Sequence, residues 1–329
     1  MQHFKNESIS KSKWEKFLQE NEHASPFQSF SFYDLFNSVP GLSANVYAIE
    51  NNNKIEALCV VTMQKEKGIK GYFSRRAIIY GGPLLSSDDK EVNAKLINEI
   101  TNDLKSEVIY IETRNFSDYS FAKDDFVENG WKYESYLNFH LNCSSEEIVN
   151  SNLNSNRTRQ IKKAFKSGVL LEEAKTPEEV EKYYSILKDL YSKKIKKPLL
   201  PFEFFKLFFE KEIGKILLVK IENKIIGGIV SPILKNNSIY EFYICGLDQE
   251  YKDFSPGVMA TYAAIQYGFK NNLKKFDFMG AGKPNEDYGV RDFKAKFGGE
   301  LKEHGRFIKI NNQFLFSLGK FALSVIKRK

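Results

Sequence analysis

The stretch Val46-Tyr-Ala-Ile-Glu-Asn-Asn-Asn-Lys54-Ile-Glu-Ala-Leu-Cys-Val-Val61 reads as strand, turn, strand. A second stretch, Leu217-Leu-Val-Lys-Ile-Glu-Asn-Lys224-Ile-Ile-Gly-Gly-Ile-Val230, repeats that plan. Lys54 and Lys224 are the matching turn exits, separated by 170 residues.

Two further pairs keep nearly the same separation. Asn102-Asp-Leu104-Lys-Ser-Glu-Val-Ile-Tyr-Ile111 and Asn272-Leu273-Lys-Lys-Phe-Asp-Phe-Met279 each run from a helix into a strand, 169 residues apart. Phe126-Val-Glu-Asn-Gly130-Trp-Lys-Tyr133 and Lys294-Ala-Lys-Phe-Gly298-Gly-Glu-Leu301 lie 168 apart. Each of these has a helix end, a glycine suited to a left-handed C-cap, then a strand. A near-constant offset marks a duplicated unit. Each copy reads as an amino-terminal helical stretch, an antiparallel hairpin, a helix, a strand, another helix and a final strand. That order predicts an α/β (α+β) fold with a mixed, largely antiparallel sheet in each domain. In the first copy the strands include 77–80, 108–112 and 133–141; in the second, 216–221, 225–233, 238–245, 275–279 and 306–310. The Ser/Asn-rich segment 143–156 predicts the join. The expected domains are 1–150 and 151–311, followed by an amphipathic helix over 312–329, with an inter-domain cleft as the place for chemistry.

A length of 329 residues suits two domains of about 150. Basic residues outnumber acidic ones 49 to 42, too small a surplus for a nucleic-acid-coating protein, so DNA is not expected as a partner and local clusters matter more. Cys59, Cys143 and Cys245 form no CxxC pair, and the four histidines lack ligand spacing, so neither disulfides nor a metal site are expected. His140 and His304 read as structural residues inside strands. The amino terminus lacks the pattern of a leader, and no apolar run approaches the roughly 18 residues a span needs, which predicts a cytoplasmic chain.

Several clusters carry chemical potential. Arg157 opens a basic helix, on which Arg159, Lys162, Lys163 and Lys166 follow i, i+3, i+4, i+7 and share a face. Such a face suits a diphosphate or a tRNA acceptor end, and equally a plain solvated surface. Asp277, between Phe276 and Phe278, is a candidate base or orienting group, or a cap for the Gly280-Ala-Gly282 turn. Glu112 and Arg114 end the corresponding strand of the first copy and are candidates for the acceptor, with Arg75 and Arg76 as further phosphate candidates. Tyr240 and Tyr243, three apart on one strand, would face opposite sides, so one of them lines the cleft. No Ser-His-Asp set or Cys-His pair is present, which fits chemistry in which an amine acceptor is itself the nucleophile and the protein positions reactants.

The doubled unit, with Pro26-Phe-Gln-Ser29, Tyr80-Gly-Gly-Pro83, Asn156-Arg-Thr-Arg, Ile239-Tyr-Glu-Phe-Tyr243, Ser255-Pro-Gly257, Phe276-Asp-Phe-Met-Gly280 and Tyr288-Gly-Val-Arg-Asp-Phe-Lys294, resembles the Fem family of peptidyltransferases over residues 25–310. That resemblance implies two tandem GNAT-like domains and transfer of an activated acyl group to an amine of a cell-wall precursor. Lys294, after Phe293, then has the task of stabilising the tetrahedral oxyanion, a contribution of roughly 3–4 kcal/mol for a fixed donor. Tyr243 becomes an orienting hydroxyl. Ser255 and Gly257 start a helix where GNAT proteins hold the coenzyme A pyrophosphate. The usual Gln/Arg-x-x-Gly-x-Gly/Ala loop is missing, as are an Asp-Pro pair near Arg114 and a basic residue at Phe36, where peptidoglycan-acting relatives have them.

The expected co-substrate is aminoacyl-tRNA or acyl-CoA, with no tightly bound cofactor, and the acceptor is a peptidoglycan, lipid-linked or surface-glycan precursor. The alternatives are a CoA-dependent N-acyltransferase of polysaccharide synthesis and a non-catalytic binding scaffold. Since Phe126-Val127 stands opposite Lys294 in the first copy, that copy is expected to bind acceptor and the second to catalyse. In the tail, Phe314, Leu315, Leu318, Phe321, Ala322 and Val325 form a helical stripe before Lys327-Arg-Lys329. The stripe suits packing on the first domain or peripheral contact with the inner face of a membrane.

Overall fold

The computed structural model describes residues 1–66, 68–85 and 89–328, without the side chains of 69, 70 and 322–328. The chain divides into two compact units, Met1–Ser135 with Glu303–Lys329, and Tyr136–Lys302. In chain order the strands are β1 Gln2–Lys5, β2 Ser43–Asn51, β3 Lys54–Gln64, β4 Arg76–Gly81, β5 Leu84–Leu85, β6 Tyr110–Asn115, β7 Lys132–Glu134, β8 Leu137–Asn142, β9 Leu170–Glu173, β10 Gly214–Ile221, β11 Lys224–Leu234, β12 Ser238–Tyr240, β13 Tyr243–Gly246, β14 Lys275–Asp277, β15 Glu300–Glu303 and β16 Arg306–Ile310. They form two mixed eight-stranded sheets flanked by helices.

The duplicated hairpins are matched to the residue. Asn52 and Asn53 have φ of 48° and 64°, and Glu222 and Asn223 have the same pair of values. Positive φ at both central positions makes a type I′ turn, whose twist fits antiparallel strands. Each hairpin also carries a bulge at the equivalent place, between Ile49 and Glu50 and between Val219 and Lys220. Gly130 and Gly298 both take the left-handed conformation foreseen for them, at φ 77° and 83°.

The first sheet has the order β1-β2-β3-β4-β6-β16-β7, with β5 beside β3; the second runs β15-β8-β14-β12-β11-β10-β9, with β13 beside β11. The two orders superimpose only with β16 in the place of β8. The chain therefore exchanges strands: β8 directly follows the first unit yet pairs with β14, with His140 opposite Asp277. In return β16 crosses back and pairs with β6 and β7. The first unit thus ends at Ser135 rather than at 150, and the second ends at Lys302 rather than at 311. Tyr133–Leu141 is two strands belonging to two sheets. His304, read as a strand residue, lies in the turn between β15 and β16.

Each unit has its own core. In the first, Leu96, Ile97 and Ile100 of the Lys90–Leu104 helix pack with Ile49, Val61, Ile79 and Ile111, and with Phe126 stacked on Phe307 at 4.1 Å. In the second, Met259, Ala260, Ala263 and Ala264 of the Pro256–Lys270 helix cover Ile229, Ile239, Phe276 and Phe278. The Gln313–Arg328 helix belongs to the first unit: Asn312 accepts from the Leu315 amide at 2.9 Å, Leu315 is buried and Phe316 meets Tyr110. Phe314, Leu318 and Phe321 of the expected stripe are exposed, while the side chains of Ala322, Val325 and Lys327–Lys329 lie outside the described residues. Among the described residues no helix is long and apolar enough to cross a membrane, and all three cysteines are free and buried.

Candidate functional site

The site is organised by a splay in the second sheet. Parallel pairing of β12 with β14 ends at Tyr240 opposite Asp277, and β13 then pairs with β11 alone. At the break, the Glu241 amide donates to the Asp277 carbonyl at 2.9 Å and the Phe242 amide to Val230 at 3.1 Å. Tyr240 and Tyr243 therefore stand on separate strands, and their alternation is lost at Glu241-Phe242. The Tyr240 hydroxyl accepts from Ser238 at 3.1 Å, whereas the Tyr243 ring packs on Phe205 and its carbonyl accepts from the Tyr183 hydroxyl at 2.9 Å.

Lys294 comes to this break from the Gly289–Ala295 helix. It is buried, not a solvated surface lysine. Its Nζ donates to the Phe278 carbonyl at 2.5 Å and the Gly280 carbonyl at 2.9 Å, and lies 2.9 Å from Glu241 Oε1. An ammonium has three protons, so these partners satisfy it completely. An oxyanion reaching Lys294 has to displace one of them. The same helix supplies Arg291, whose guanidinium donates to the carbonyls of Ala281 at 2.9 Å, Pro284 at 3.3 Å and Lys283. One helix thus holds the segment after β14 with two cations. Glu241, whose carboxylate also accepts from Thr261 at 3.3 Å, is the partner that sequence reasoning missed. Its signal was the one used for Asp277: an acid between aromatic residues in a strand.

Asp277 is fully buried beneath the splay. Its Oδ1 accepts from Asn138 and the Met279 amide, both at 2.8 Å, and its Oδ2 lies 3.0 Å from His140 Nε2. Burial would raise this carboxyl, but the hydrogen bond and charge of His140, with Lys275 and Asn138, outweigh it and bring it down to about 2. Asn138 also accepts from the Gly280 amide at 2.8 Å, joining the Asp277 cluster to the turn that Lys294 holds. His140 and Asn138 arrive on the exchanged strand β8, so no local pattern pointed to them.

The basic helix, Ser155–Lys166, has two distinct faces. Arg157 is buried: it donates to the Phe293 carbonyl at 2.8 Å and lies over the rings of Phe293 at 4.6 Å and Phe297 at 4.3 Å. Burial pushes its guanidinium down to about 10, with the Asp248 charge opposing. Arg157 therefore braces the Lys294 helix. Arg159, Lys162, Lys163 and Lys166 are exposed and, with Ser155 and Thr158, line a shallow groove. Lys163 pairs with Asp253 at 2.7 Å.

At the start of the Pro256–Lys270 helix, Ser255 takes a left-handed φ of 47°. The Gly257 amide, expected to hold a donor phosphate, donates to Asp248 Oδ1 at 3.0 Å. A Cβ on Gly246 would come within 2.5 Å of the Gly257 nitrogen, so this strand passes close beneath the helix end. The connecting loop carries Asp248, Glu250 and Asp253 against Lys252. The anion-binding terminus thus already holds a carboxylate.

The first unit is closed where the second splays. Pairing of β4 with β6 continues to Gly81 opposite Asn115. Gln28 bridges β3 and β4, accepting from Val60 at 2.7 Å and donating to Tyr80 at 2.9 Å. The Tyr119 hydroxyl donates to Pro83 at 2.6 Å and its ring covers Gly82, where a Cβ would meet it at 2.5 Å. Glu112 and Arg114 do come together, with Arg306 of β16 as a third member bonded to Glu112. Burial raises the Glu112 carboxyl, and the two arginines overcome it, leaving it below its ordinary value. Arg76 acts with this cluster on the Tyr110 hydroxyl, whereas Arg75 turns away to stack on Tyr72 at 4.3 Å.

Residues 151–294 match the family described as acetyltransferase (GNAT) domain, so the second unit carries an acyltransferase domain. No curated protein matches the chain. Among solved structures the fold is that of FemX, at 14% identity and a TM-score of 0.72 over 97% of this chain and 99% of that one. The C-terminal domain of a putative lysylphosphatidylglycerol synthetase from Agrobacterium fabrum is similar at 11% identity and a TM-score of 0.59, covering 96% of each chain. A tandem GNAT protein from the clavulanic acid biosynthesis pathway is similar at 8% identity and 0.56, over 94% of this chain and 99% of that one. At these identities the likeness is one of fold.

Proposed function

We propose that this acyltransferase moves an aminoacyl group from aminoacyl-tRNA to an amine of a peptidoglycan or surface-glycan precursor. The observation that carries this reading is the contact between Asp248 and the Gly257 amide. A coenzyme A donor needs that helix terminus for its pyrophosphate, and a resident carboxylate competes for it. The exposed face of Arg159, Lys162 and Lys166 suits a polyphosphate backbone instead.

In the transfer, the acceptor amine adds to the ester carbonyl, loses a proton, and the tetrahedral species collapses with the tRNA hydroxyl taking a proton as it leaves. Lys294 contributes a buried positive charge beside the carbonyls of Phe278 and Gly280, and Arg157 and Glu241 keep it in place. The names FemX and lysylphosphatidylglycerol synthetase, borne by proteins of the same fold, agree with an aminoacyl donor. The second reading, an acyl-CoA-dependent N-acyltransferase, is favoured by the acetyltransferase family match over 151–294.

The test is incubation of the chain with an aminoacyl-tRNA pool or with acyl-CoA, and an amine-bearing glycan precursor, followed by mass spectrometry. The expected product carries an amino acid and disappears after ribonuclease. Product that survives ribonuclease and requires the thioester sinks the tRNA reading.

A further inference from the structure

We infer that the first unit carries a docking surface for an anionic phospholipid bilayer, formed by the helices Ile69–Ser74 and Gln313–Arg328. The two helices pack against each other. On the longer one, Phe314 is 76% exposed, Leu318 43% and Phe321 68%, at the i, i+4, i+7 spacing of a single face. The helix is attached along the flank of that face, with Leu315 buried and Phe316 on Tyr110 at 5.2 Å. The shorter helix adds Tyr72 at 54% and Phe73 at 45% exposure, with their rings 5.3 Å apart. Scattered exposed apolar residues are ordinary, whereas five large ones on two touching helices are not.

Charge selects the partner. In the sequence, segments 65–75 and 313–329 together hold eight basic residues and one acidic residue, in a chain whose whole surplus is seven. An apolar helix face with a cationic end lies in the plane of an anionic interface, with its aromatic side chains at the boundary between headgroups and acyl chains. A nucleic acid would use the charges but leave Phe314, Leu318 and Phe321 without a role. This deepens the proposed reading, on which it rests only for the acceptor: it places the transfer at a lipid surface, where a lipid-linked precursor would be presented.

The experiment is co-sedimentation of the full chain with vesicles of phosphatidylcholine alone or with about one-third phosphatidylglycerol. Expected is retention on the anionic vesicles that falls on the order of tenfold or more in the triple variant Phe314→Ser, Leu318→Ser, Phe321→Ser, with circular dichroism and a cooperative melt showing that the variant is still folded. Phe321→Trp should shift its emission to the blue on the same vesicles. Equal binding by the triple variant, or no binding by the wild-type chain, overturns the proposal. So does tRNA binding that falls in the variant in parallel, or a wild-type dimer that the variant dissolves; these assign the face to RNA or to a second copy. Because sedimentation needs no turnover, failure here leaves transfer to a soluble acceptor intact. Vesicle binding without any tRNA-dependent transfer instead removes the reading and keeps the surface.

Discussion

Lys294 Nζ lies 2.9 Å from Glu241 Oε1 inside the second unit, where β12 and β14 part company. Removing one member of such a pair leaves an uncompensated buried charge, at a cost of roughly 3–5 kcal/mol. Lys294→Met should therefore lose activity and stability together, contrary to the expectation for a surface lysine. Adding Glu241→Gln should recover most of the stability and none of the turnover. Urea titration beside a transfer assay checks both, and a double variant no more stable than Lys294→Met refutes the pairing.

Asp248→Ala frees the Gly257 amide and removes a negative charge from the helix start. Affinity for coenzyme A should rise on the order of tenfold, read by titration calorimetry, while aminoacyl-tRNA transfer is unchanged. Coenzyme A binding that is already tight in the wild type, and indifferent to the substitution, would speak for the acyl-CoA donor.

The two faces of the Ser155–Lys166 helix should separate in a salt titration. Replacing Arg159, Lys162 and Lys166 together by alanine should reduce the slope of log K against log salt for tRNA by about 2, with little change in melting temperature. Arg157→Lys should leave the slope alone. It loses the stacked guanidinium over Phe293 and Phe297, so it should lower the melting temperature and kcat.

The Asp277 carboxyl is depressed from 3.8 to about 2 in the folded chain. Its contribution is present above pH 4 and disappears as pH falls through 2, amounting to about 2 kcal/mol. The stability gap between the wild type and Asp277→Asn should shrink by that amount between pH 5 and pH 2. A gap independent of pH would show that the carboxyl is not depressed in the folded chain.

The hairpins were legible because their signals are local. A turn at Asn52-Asn53 or Glu222-Asn223 depends on a few neighbouring dihedrals, and Gly130 and Gly298 mark helix ends by their own backbone freedom. The same holds for the basic face of Arg159, Lys162 and Lys166, which is plain periodicity. Glu241 was within reach of the reasoning applied to Asp277, and its partner Lys294 was singled out, but a pairing 53 residues apart in the chain has no sequence signature.

The sequence by itself determined that there are two copies, what each hairpin looks like, and which helix carries the lysine. Only the tertiary structure decided which strand completes which sheet. β8 and β16 are both short strands of mixed apolar and polar residues that follow a two-residue connection, so either sheet could accept either strand by local criteria. Long-range pairing sent β8 to Asp277 and β16 to Glu112, bringing His140 and Asn138 to one site and Arg306 to the other. Burial then settled the charges: Arg157, one of a run of basic residues in the sequence, and Lys294 are interior cations because aromatic rings, carbonyls and Glu241 converge on them from distant parts of the chain.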